Sequence, residues 1–138
     1  MASELRVDTL KDSSGSNSVG MAYVAGGSAK AWVNFNGTGT IAARDSFNQT
    51  SLTDLAAGEY TVSYTNNLNN ANYAPHVTST SNNGYNIDGC SLACIASNLT
   101  NPYVNTGNVS VMTSIGANGN GQDSGAVVMA VSVLGDLA

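Results

Sequence analysis

Apolar and polar side chains alternate with a period of two in one short segment after another, and each segment is cut off by glycine or asparagine. Ala31, Val33 and Phe35 alternate with Lys30, Trp32, Asn34 and Asn36, while Tyr60, Val62 and Tyr64 alternate with Glu59, Thr61 and Ser63. A period of two marks strands with one face buried, because a helix would repeat its apolar positions every three to four residues. Further strands are expected over Ile41 to Phe47, Ser51 to Leu55, Tyr73 to Thr80, Cys90 to Ser97, Val109 to Ile115 and Val127 to Leu134. Asn36-Gly37-Thr38-Gly39, Ala56-Ala57-Gly58 and Asn82-Asn83-Gly84 supply residues that tolerate the backbone of tight turns. Pro75 has no N–H for a ladder and assigns its strand to an edge or a strand start.

About eight short strands with frequent turn signals predict an all-β fold, an antiparallel β-sandwich of jelly-roll-like type. Leu5, Val7 and Thr9 alternate with Arg6, Asp8 and Leu10, so the first ten residues read as a detachable strand, and Asp12 to Gly20 reads as a flexible Ser/Gly/Asn linker. The expected organisation is an extended N-terminal docking arm and linker over residues 1–20 and a sandwich head over residues 21–138. Asn66 to Asn72 and Asn98 to Asn108 read as loops, and Gly116 to Gly125 as a hairpin or long loop.

Composition excludes the main alternatives. Gly, Asn, Ser and Thr together supply 62 of 138 residues and charged residues only 9%, whereas helical surfaces draw on Glu, Lys and Arg. A net charge of −5 opposes binding to a phosphate backbone, so no nucleic-acid partner is expected. The longest apolar run, Ala126 to Leu134, falls short of the roughly 20 residues that span a bilayer. No membrane insertion is expected, and the N-terminus lacks the basic and apolar regions of a signal peptide. The chain is therefore expected to remain in the cytosol or to assemble there into something larger.

Nothing in the pattern assembles a catalytic or metal centre. The single histidine, His76, falls on the polar face of the strand that Pro75 assigns to an edge or a strand start, no Gly-x-Ser-x-Gly elbow is present, and the carboxylates are scattered. Cys90 and Cys94 would lie about 13 Å apart along a strand, beyond disulfide reach, and read as plain buried thiols. Asn118 to Asp123 has oxygen ligands at alternate positions but lacks the closing Glu of a calcium loop, and reads as turn chemistry. No catalytic residue, cofactor or metal is expected, and the chain is read as a non-enzyme.

Two features point instead to assembly. The segment Val127 to Leu134 is apolar on both faces, and Trp32 lies on the side of its strand opposite the aliphatic residues. Both need cover from a partner subunit or a loop of the same chain. Trp32, Val128 and Leu134 are therefore the expected oligomer interface, and Leu5, Val7 and Leu10 the expected docking residues.

The run Gly27-Ser28-Ala29-Lys30-Ala31-Trp32-Val33-Asn34-Phe35-Asn36-Gly37-Thr38-Gly39-Thr40 resembles a family of structural proteins from marine phages and cyanophages. The likeness continues through Arg44-Asp45-Ser46-Phe47-Asn48, Gly58-Glu59-Tyr60-Thr61-Val62-Ser63-Tyr64 and Ala71-Asn72-Tyr73, and covers residues 3–80 best. The resemblance implies a non-enzymatic virion protein, a homotrimer docked through its N-terminal segment and assembled in the host cytoplasm. Lacking a long shaft, the chain fits a capsid decoration or short capsid-fibre protein whose partner is the major capsid protein. The alternative is a tail-fibre or receptor-binding head that recognises a host surface glycan, with Tyr and Asn side chains of the loops at Asn66 to Tyr73, Asn82 to Tyr85 and Asn98 to Asn105 contacting sugar.

Overall fold

A computed structural model of the chain describes residues 3–56, 58–80, 91–95, 103–115 and 128–138, with backbone alone for 91–95 and 114–115. Strands β3 (Ala29–Asn36), β4 (Ala42–Phe47), β7 (Ala74–Ser79) and β11 (Met129–Leu134) form one antiparallel sheet in the order β4-β3-β11-β7. Strands β5 (Gln49–Ala56), β6 (Glu59–Tyr64), β8 (Ser91–Ile95) and β10 (Asn108–Ile115) form the other in the order β5-β6-β10-β8, and the short β9 (Val104–Asn105) pairs with β10. The antiparallel β-sandwich expected from the alternation is the observed architecture, and Pro75 does lie on an edge strand.

The predicted inward sets form the core. Ala31, Val33 and Phe35 of β3 and Met129, Val131 and Val133 of β11 pack against Tyr60, Val62 and Tyr64 of β6 and Val109 and Val111 of β10. Phe35 meets Tyr60 edge to face with ring centroids 5.3 Å apart, a geometry that contributes beyond buried area. The Asn-rich loop after β6 is pinned by Leu68, which is buried and whose N–H donates to the Thr106 carbonyl at 2.8 Å.

Between β4 and β5 the chain crosses from one sheet to the other in a single residue, Asn48, at φ 54°. Asparagine tolerates this left-handed backbone better than most residues. Its side chain also fixes the corner: Nδ2 donates to the carbonyls of Lys30 at 2.9 Å and Asn66 at 3.0 Å, and Oδ1 accepts from the Asn66 N–H at 2.7 Å.

The N-terminal region departs from the expected flexible linker. Strands β1 (Thr9–Lys11) and β2 (Ser18–Gly20) pair as a hairpin, followed by a seven-residue helix α1 (Met21–Gly27). Asp12-Ser13-Ser14-Gly15 closes with the Gly15 N–H donating to the Asp12 carbonyl at 3.0 Å, the pattern of Asp first and Gly fourth in a type I turn. The Asp12 carboxylate accepts from Asn17 Nδ2 at 2.7 Å and Ser14 Oγ at 2.9 Å. These bonds, the Asn17 amide first, hold its pKa below the ordinary carboxylate value. The helix has no N-cap side chain, but the Lys30 ammonium closes its C-terminal end, donating to the carbonyls of Ala25 and Ser28.

Candidate functional site

The expected docking residues lie on a segment that buries nothing of its own. Leu5 is 79% exposed, Val7 36% and Leu10 42%, and no residue from Ser3 to Ala29 is buried. Leu10 pairs across the hairpin with Val19, itself 39% exposed, and Tyr23 of α1 is 79% exposed. Outside this segment the exposed large apolar side chains among the described residues are Phe47, Leu55 and Leu137. Among the described residues the first buried one, Ala31, belongs to β3, so β1, β2 and α1 all precede it.

Trp32 falls on the outer face of the β4-β3-β11-β7 sheet, as the alternation requires, while Val128 immediately precedes β11 and Leu134 ends it beyond a register shift against β3. They do not form one apolar patch. Val128 and Leu134 are six residues apart, about 20 Å along a strand, with Ala130 and Ser132 between them on that face. The neighbours of Trp32 come from other strands: Phe47 on β4 and Ser132 on β11 lie directly opposite it, and His76 on β7 lies opposite Ser132. The next row along is Asp45, Asn34, Ala130 and Thr78. Between β3 and β7, Trp32, Asn34, Ala130, Ser132, His76 and Thr78 line a shallow groove of about 320 Å³. Arg44 is the extra residue of a β-bulge opposite Asn34 and Phe35, and its guanidinium donates to Asn34 Oδ1 at 3.3 Å and to the Phe35 carbonyl at 3.1 Å.

Of the loops expected to contact sugar, residues 82–85 and 98–102 lie outside the described residues, as do Cys90 and the Asn118 to Asp123 turn. Tyr73, expected on the loop surface, is instead buried, and its hydroxyl lies 3.0 Å and 2.9 Å from the carbonyls of Asn105 and Asn108 while accepting from Tyr64 at 3.2 Å. Gly135 closes over it so tightly that a Cβ there would sit 2.7 Å from the Tyr73 Cβ. Burial is the physical reason a ring in an Asn-rich loop is withheld from solvent. Cys94 lies in β8, opposite Met112 in the register.

Burial raises the phenol pKa values of both Tyr64 and Tyr73 above the ordinary 10.0. A raised folded-state value means that the folded chain holds protons the unfolded chain would release above pH 10. This contribution is fully present below pH 10 and is lost as pH rises beyond it. Urea midpoints measured from pH 8 to 11 are expected to hold level and then fall, and the fall should be smaller in Tyr64→Phe; a midpoint flat through pH 11 would contradict the burial of these phenols.

Among the described residues no three His, Cys, Asp or Glu side chains converge to hold a metal ion. His76 is exposed on edge strand β7, and no described helix is long and apolar enough to cross a membrane. Compared with known proteins, the chain matches no family model, no curated sequence and no solved structure.

Proposed function

We propose that this chain is a non-enzymatic structural protein of a phage virion, a capsid decoration or short capsid-fibre protein docked through its N-terminal segment to the major capsid protein. It assembles in the host cytoplasm as a homotrimer and is incorporated into the particle there. The observation that carries this reading is the concentration of exposed apolar side chains in the N-terminal segment: Leu5 and Val7 ahead of the hairpin, Leu10 and Val19 on it and Tyr23 on the helix, none of them buried. A two-stranded hairpin is marginal alone in water, so this segment gains most of its order by packing on another chain or adding a strand to a sheet edge. The likeness of residues 3–80 to marine phage and cyanophage structural proteins supports the same assignment, and the trimer is what that likeness implies.

Self-association is attributed to this N-terminal segment and not to Trp32, which has Phe47 on one side but Ser132 and then His76 on the other. Light scattering on the full chain is expected to return three times 14.0 kDa; a folded, soluble species of 14.0 kDa would overturn the trimer. The second reading, a tail-fibre head, is favoured by the Trp32 groove, which opens on the outer face of the sandwich. Copy number separates the two, since a capsid protein is present at the multiplicity of the capsid lattice and a tail protein at far lower multiplicity.

A further inference from the structure

We propose that the groove between β3 and β7 on the outer sheet face binds an uncharged saccharide, held against the Trp32 ring by Asn34, His76, Thr78 and Ser132. The inference concerns the head alone and holds whether the head sits on a capsid or a tail.

The trough follows from side-chain size. The outward positions of the central strand β11 that floor it are the small residues Ala130 and Ser132, with Val131 between them, and the flanking strands raise Trp32 and Asn34 on one side and His76 and Thr78 on the other. The two walls stand two interstrand spacings apart, about 9.5 Å, and the rows are about 7 Å apart along the strands. The volume of about 320 Å³ is at the lower end of small-molecule sites and suits one or two sugar rings.

The chemistry of the lining selects the ligand. An indole face carries negative charge density that attracts the weakly positive C–H edge of a sugar ring, and Phe47, 53% exposed, lies beside it on β4. Among the described residues the side-chain polar atoms of Trp32, His76, Thr78 and Ser132 have no hydrogen-bond partner in the protein, whereas Asn36, Asn48, Thr61, Tyr73 and Ser110 are all paired. Asn34 is half committed: Arg44 donates to its Oδ1, which orients the amide and leaves Nδ2 to donate. One flat apolar ring ringed by open donors and acceptors matches a polyhydroxylated ligand.

Among the described residues no Asp, Glu, Lys or Arg side chain lines the groove. Asp45 stands next to Asn34 in the register, and the chain carries a net charge of −5, both of which disfavour anionic sugars. A second copy of the chain would instead need a continuous apolar patch, which Ser132 and Thr78 interrupt.

Trp32 is the sole tryptophan, so its fluorescence reports on the groove without a label. The full chain is tested on an array of neutral and sialylated oligosaccharides, and the neutral oligosaccharides that bind are titrated while Trp32 emission is followed. Neutral oligosaccharides are expected to bind and to produce a saturable change in emission, with sialylated counterparts weaker. Trp32→Ala should weaken array binding about tenfold or more, the scale of a buried aromatic anchor. His76→Ala, on an exposed edge strand where folding is not at risk, should also weaken it, and Thr53→Ala on the other sheet should leave it unchanged. The proposal is overturned if no neutral oligosaccharide binds, if sialylated ones bind better, or if both Trp32→Ala and His76→Ala retain full binding. It is equally overturned if Trp32→Ala lowers the mass of the assembly, which would place a second copy on this face.

Discussion

Replacing Phe35 by alanine is expected to lower the stability of the chain by about 3–5 kcal/mol, the usual cost of deleting a fully buried aromatic ring. Phe35 has no exposed surface, lies in the middle of the sandwich opposite Met129, and meets Tyr60 edge to face. The loss therefore combines transfer of the ring, a cavity between two sheets and the aromatic contact. Tyr60 in turn donates its hydroxyl to the Gly37 carbonyl, so the cavity also loosens the turn after β3. Domains of this size are stable by about 5–15 kcal/mol, and the substitution removes a large part of that. Urea unfolding should show a lowered midpoint with little change in slope. Phe47→Ala, at 53% exposure, should stay within about 0.5 kcal/mol of the parent; equal costs at the two positions would contradict the assigned faces of β3 and β4.

The contrast between those two phenylalanines also marks how far the sequence could be read. Strict alternation in Ala31 to Phe35 and in Glu59 to Tyr64 is enough to say which side chains are buried, because a one-residue slip would turn the whole apolar set to water. Pro75 limits its strand to an edge or a strand start. The hairpin at Asp12 was legible in principle from its Asp-Ser-Ser-Gly turn signature, but the abundance of serine reads equally as linker. Helix α1 was not legible, since seven residues with two terminal glycines and no N-cap side chain carry little helical signal, and its closing cation is Lys30 on the following strand. The corner at Asn48 depends on the carbonyls of Lys30 and Asn66, each 18 residues away.

The groove shows the same division. That Trp32 faces away from the aliphatic core follows from period two alone. That its companions are Ser132 and His76 follows from the pairing of β3 with β11 and of β11 with β7, a matter of sheet order that local pattern does not contain. The expected sugar-contacting loop failed at Tyr73 because loop position says nothing about burial, and this ring serves as the hydrogen-bonded plug under Gly135.

Removing residues 1–27 is expected to leave a folded sandwich that neither associates nor docks. Among the described residues no member of the core precedes Ala31, and Met21 and Val24 are only half-buried, so deletion takes away little buried apolar area and should shift thermal unfolding only slightly. It does take away Leu5, Val7, Leu10, Val19 and Tyr23 together, which are the apolar groups available to a partner in that segment. The loss of Ala25 frees one acceptor of the Lys30 ammonium, which then returns to solvent at little cost. Light scattering on this shortened chain should return a monomer. Single substitutions such as Leu10→Asp, placed opposite Val19 on the hairpin, should weaken docking in the same direction by a smaller amount.

The most direct measurement is the occupancy of this chain on purified virions, counted by quantitative mass spectrometry for the full chain and for the chain starting at Ser28. The account predicts the full chain at the multiplicity of the capsid lattice and the shortened chain absent from particles although folded in solution. A shortened chain that decorates particles at full occupancy would contradict it, and docking would then have to run through the head.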